Sequence, residues 1–63
     1  MERFEINKAK DGQYYFTLIS SNNEIIATSE MYTTKLSCQN IIESIKENAL
    51  IARVDDKTIL KNI

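Results

Sequence analysis

Apolar and polar residues alternate from the first residues of the chain. Phe4 and Ile6 stand between Arg3, Glu5 and Asn7, a period of two that predicts a half-buried strand. Lys10-Asp11-Gly12-Gln13 follows, and Asp-Gly is the strongest hairpin signal present because Gly12 takes a positive φ without steric cost. Tyr14 to Ser20 is rich in aromatic and β-branched types and predicts a second strand. Tyr14, Phe16 and Leu18 share one face, chosen for the core because they match Phe4 and Ile6 across the hairpin. Tyr15, Thr17 and Ile19 share the other. Ser21-Asn22-Asn23 predicts a second turn, Asn being the best non-glycine occupant of a left-handed position. Glu24 to Ser29 predicts a third strand around Ile25, Ile26 and Ala27, a run that blurs which face is inward, one reading being partial cover on both faces.

The period then changes. Met31 to Leu36 forms a crossover, where the β-branched Thr33 and Thr34 disfavour an early helix start. Ser37 is the expected N-cap. Cys38, Ile41, Ile42, Ile45 and Ala49 recur at steps of three and four, one apolar stripe on a helix of about eleven residues. Gln39, Glu43, Lys46 and Glu47 fall on the wet side. Ile51 to Val54 predicts a fourth strand, Asp55-Asp56-Lys57 breaks it, and Thr58 to Ile63 predicts a short fifth with Ile59, Leu60 and Ile63 apolar. The expectation is a single α+β domain over 1–63, an antiparallel sheet of three strands, one helix and one or two C-terminal strands.

Size changes this picture. Burying roughly 60% of the unfolded surface of a 63-residue chain, on the order of 6,000 Å² of which about 60% is apolar, contributes on the order of 90 kcal/mol. Ordering the chain at ~1.5 kcal/mol per residue costs about the same. Further burial has to come from elsewhere. With one Cys and no His, neither an internal disulfide nor a four-ligand Cys/His zinc site can be built, which leaves self-association.

Charge narrows the partners. Eight basic and nine acidic residues give a net charge of -1 and a pI near 5.3, without the positive field of a strong nucleic-acid binder. No apolar run follows a basic start, and none approaches the ~18 residues of a membrane span. A single thiol on a helical stripe fits a reducing cytoplasm.

Several fragments, in order and spacing, resemble the YegP-like family of small bacterial proteins of unknown function. They are Phe4-Glu5-Ile6, Asp11-Gly12, Phe16-x-Leu18, the stretch from Asn22 to Glu30 followed by Tyr32-Thr33-Thr34-Lys35, and Asn40 to Ala49 followed by Ala52-Arg53-Val54. The resemblance covers most of the chain. Asn23 stands where the family usually has Gly, Ile41 where it often has Gly, and Leu50 where it often has Pro. The resemblance implies a β3-α-β2 unit, present twice in tandem or once per chain, two units joining into one sheet with exchanged C-terminal strands. For a chain with one unit it implies a homodimer. It implies no catalytic residues.

Candidate chemistry is sparse. The best candidates for ligand or partner contact are Ser29, Glu30, Tyr32 and Lys35, between the third strand and the helix, where loops often carry function. The structural alternative is a Glu30–Lys35 ion pair, with Tyr32 plugging the gap between helix and sheet. Tyr15, with Thr17 and Ile19, is the candidate contact row for a protein partner. Cys38 is read as a small buried hydrophobe, against an activated nucleophile at a helix start. Asp55-Asp56 reads as a solvated turn, since adjacent acids lack the ordered spacing of a calcium loop. No metal or cofactor is expected. A non-enzymatic homodimer that binds a protein partner is the leading reading. A small enzyme or ligand-binding protein using Lys35, Tyr32, Glu30 or Cys38 is the alternative. A weak single-stranded nucleic-acid binder, stacking bases on Tyr14 and Tyr15 beside Arg3 and Lys8, is a third.

Overall fold

The computed structural model describes residues 1–58. Three strands, β1 (Arg3–Lys8), β2 (Tyr14–Ile19) and β3 (Ile25–Thr28), form an antiparallel sheet in the order β1-β2-β3, and one helix, α1 (Lys35–Asn48), packs on one face. The α+β arrangement read from the hydrophobic pattern is the one observed.

Both hairpins use the same device. The Gly12 N–H donates to the Ala9 carbonyl at 3.0 Å and the Ala9 N–H donates to the Gln13 carbonyl at 2.8 Å, with Gly12 at φ 88°. In the second, the Asn23 N–H donates to the Ser20 carbonyl at 3.0 Å and the Ser20 N–H to the Glu24 carbonyl at 2.8 Å, with Asn23 at φ 67°. Each turn therefore closes through one left-handed residue, the geometry that Gly and then Asn tolerate best. The first turn sets Phe4 opposite Leu18 and Ile6 opposite Phe16.

The core is small. Phe16, Cys38 and Ile42 are buried together, with Phe4, Ile6, Tyr14 and Tyr32 packed around them. Phe4 meets Phe16 edge-on at 5.7 Å between centroids, and Tyr32 lies parallel to Phe16 at 6.4 Å. Leu18, expected in this core, is only half-buried, whereas Thr17 and Ile19 on the opposite face are buried. β2 is the central strand, so its side chains are flanked on both sides. The outward row is flanked by cross-strand neighbours such as Arg3, Glu5 and Thr28.

Four expectations need correction. β3 is exposed throughout, not covered on both faces: it is an edge strand, and its register shifts beside Leu18 and Ile19. The helix is capped by Thr34 rather than Ser37 and runs for 14 residues. Thr34 holds an extended conformation (φ -126°, ψ 150°) and its Oγ1 accepts from the Ser37 N–H at 3.1 Å. β-Branching, which disfavours a helical Thr, suits the extended cap position. Ile51–Val54 forms no strand, and the described sheet stops at β1, β2 and β3. Thr58 is likewise outside any strand, and the rest of the predicted fifth strand lies outside the described residues.

Candidate functional site

The connection between β3 and α1 uses much of its own chemistry to hold the fold. The Ser29 N–H donates to the Phe16 carbonyl at 2.9 Å, and Ser29 Oγ accepts from the Phe16 N–H at 2.9 Å while donating to the Glu30 carbonyl at 2.8 Å. Ser29 thus extends the ladder of β2 with its side chain. Tyr32 exchanges two backbone bonds with Tyr14, at 2.8 and 2.7 Å, and its ring closes the core over Phe16. Glu30 and Lys35 are exposed, and no ion pair joins them among the described residues. Tyr15 is half-buried and lies on the face opposite Tyr14. Of the five sequence candidates, Lys35 lines one of the hollows described below.

That hollow belongs to an open groove between β1 and α1. The helix crosses above β1 and β2 and buries only Cys38 and Ile42. Phe4 and Ile6 stay half-buried, and Ile45 is 38% exposed. The middle of the groove is a hollow of about 580 Å³ floored by Phe4, Ile6 and Ile42 and rimmed by Gln39, Glu43 and Lys46. It adjoins a hollow of about 310 Å³ at Leu18, Ile45 and Ala49. At the other end, by the start of α1, lies one of about 560 Å³ lined by Lys8, Tyr14, Lys35 and Gln39. Among the described residues β1 pairs only with β2, so its other edge runs beside the groove without a partner strand among them. Sequence reading placed Gln39, Glu43 and Lys46 on a wet face. Only the lateral offset of helix against sheet turns that face into a rim.

Charge is uneven along the groove. Arg3 pairs with Glu5 at 2.8 Å and Lys46 with Glu43 at 3.8 Å, so one half carries both signs. Lys8 and Lys35, at the other end, have no carboxylate partner among the described residues. Lys8 Nζ rests 5.6 Å from the centre of the Tyr14 ring. The positive end of the helix dipole adds to this basic end.

Cys38 is fully buried, and desolvation pushes its thiol above the ordinary range. Asp56, in an exposed turn, is held below the ordinary carboxylate range by the Thr58 hydroxyl at 2.6 Å and then the Thr58 N–H at 2.9 Å. The described residues hold no cluster of three metal-ligating side chains, and no described helix is long and apolar enough to cross a membrane.

A family model described as a domain of unknown function, DUF1508, matches residues 9–56. The chain belongs to this family. UPF0339 protein YegP of Yersinia pestis is 54% identical over 46 residues, covering 73% of this chain and 41% of the relative. YegP of Escherichia coli is 40% identical over 57 residues, covering 90% and 52%. The chain spans about half or less of the length of such YegP relatives. UPF0339 protein Atu5359 of Agrobacterium fabrum is matched almost end to end, 45% identical over 58 residues, 92% of this chain and 94% of the relative. A solution structure of a protein from Haloferax volcanii superposes with a TM-score of 0.76 at 32% identity, covering 87% of this chain and 93% of that one. The YegP-like resemblance in the sequence is therefore a family relationship, and the α+β fold is shared with a solved structure.

Proposed function

We propose that this YegP-like chain is a non-catalytic module that works as a homodimer, the β1–α1 groove of each copy receiving the C-terminal segment of the other. The observation that carries this reading is a mismatch within one chain. Leu50, Ile51 and Val54 are 99%, 80% and 91% exposed directly after a helix that leaves an apolar groove open. Three such side chains in water forgo roughly 1.5–3 kcal/mol each relative to burial. YegP relatives about twice as long have room for a second unit in one chain, and that supports the same pairing.

The dimer reading also favours binding over chemistry. Ser29 and Tyr32 already serve the β3–α1 connection, and Cys38 is a protonated thiol without access. Tyr14 and Tyr15 point to opposite faces, so they make no shared platform for bases. Tyr15 remains the candidate contact for a protein partner on the outer face, and Lys35 for a ligand at the groove end.

Mixed-label NMR tests the pairing. One copy carries labelled Val54 methyls and the other is unlabelled. Intermolecular contacts from Val54 to Phe4 and Ile6 are expected. Contacts confined to a single chain, or none, overturn the reading.

A further inference from the structure

Resting on that dimer reading, we propose that the incoming segment has a fixed direction and register: Ala52–Asp56 of the second copy lies parallel to β1, with Ala52 beside Phe4, Val54 beside Ile6 and Asp56 beside Lys8.

The frame follows from alternation. On β1, Phe4, Ile6 and Lys8 share the strand side that faces the groove, Arg3 and Asn7 also reach its hollows from the alternate positions, and Glu5 lines none of the three hollows described. The tail has the same length and rhythm. Ala52, Val54 and Asp56 share one side, and Ile51, Arg53 and Asp55 the other. Placing Ala52 and Val54 inward sends Arg53 and Asp55 to the wet face, together with Ile51. A slip of one residue would press Arg53 against Phe4, Ile6 and Ile42 instead, which buries a charge.

Two directions keep that frame, and charge chooses between them. In the parallel arrangement the acidic end of the tail meets the basic end of the groove. Asp56 reaches Lys8 and Lys35, both without a carboxylate among the described residues, whereas Arg53 falls beside Glu5 in either direction and does not choose. In the antiparallel arrangement, with Val54 beside Phe4, Asp56 falls beside Glu2 and Leu50 beside Lys8. That sets like charges together and leaves both lysines against an apolar side chain. It would also bring Asp55 to Arg3, but Arg3 already holds Glu5 at 2.8 Å. The Thr58 bonds that favour ionised Asp56 fit the parallel choice.

Paired cysteines in a Cys38→Ala background read the register directly. Oxidation of the variant carrying Lys8→Cys and Asp56→Cys should give covalent dimers. The variant carrying Glu2→Cys and Asp56→Cys should not. The reverse pattern establishes the antiparallel register and overturns the proposal while leaving the dimer intact. A disulfide inside one chain, or no cross-link in a protein that sediments as a dimer, also overturns it. A monomeric wild type removes the dimer reading itself. Charge exchange provides a second readout with Cys38 kept. Lys8→Glu and Asp56→Lys should each weaken the dimer about tenfold, and together restore it to within about threefold. Weakening that adds up in the double variant is the contrary result.

Discussion

Val54 separates a solitary chain from a paired one with a single substitution. In one copy its side chain is 91% exposed, so Val54→Ala should change the stability of an isolated chain by no more than about 0.5 kcal/mol. In the proposed dimer each Val54 sits against Ile6 of the other copy, and the substitution removes two methyl groups from an apolar site twice per assembly. At ~0.8 kcal/mol per methyl-sized group, the loss is about 1.5 kcal/mol per site and about 3 kcal/mol per dimer. That is about two orders of magnitude in the dissociation constant. The assay is urea unfolding at several protein concentrations, because a dimer that unfolds to monomers has a midpoint that rises with concentration. Wild type and variant should both show that rise, with the variant displaced to lower midpoints throughout. Coincident curves, or midpoints independent of concentration, would refute the placement of Val54 in an interface.

Three further outcomes test the fold. Thr34→Ala removes the cap that Ser37 N–H uses and should cost about 1 kcal/mol, read as a Tm lower by about 5 °C, whereas a Tm unchanged would return the cap to Ser37. Gly12→Ala meets no atom within 4 Å, so its loss of about 1–2 kcal/mol in denaturant unfolding would be purely the strain of φ 88°, and a neutral result would mean the turn re-forms without a left-handed residue. Burial raises the Cys38 thiol, so the folded chain holds that proton more tightly than the unfolded one. Its contribution is present in full below the ordinary thiol pKa and declines as pH rises through it. The stability difference between wild type and Cys38→Ala should therefore shrink between neutral and strongly alkaline pH, and parallel profiles would contradict a buried, protonated thiol.

Local chemistry made much of this fold legible. Gly12 and Asn23 marked the two left-handed positions, and the steps among Cys38, Ile42 and Ile45 marked the helix face. Where the reading failed, geometry decided. Thr34 escapes an argument from helix propensity because β-branching disfavours the helix interior yet suits the extended cap. Ile25 and Ile26 read as covered, yet nothing in their alternation reveals that β3 is the last strand of the sheet. Thr17 and Ile19 show the converse, buried by sitting on the central strand. The groove was invisible for the same reason: it arises from how far α1 stands from β1, and no residue type along either element encodes that distance. Ile51–Val54 has the pattern of a strand without a partner in its own sheet. That conflict between pattern and placement is the feature a second copy resolves.

Sedimentation equilibrium of the wild-type chain across the micromolar range measures that resolution most directly. The predicted result is twice the 7.3 kDa mass of one chain, with dissociation only on dilution. A cooperatively folded species of a single chain's mass at those concentrations, its Val54 still in water, would contradict the account.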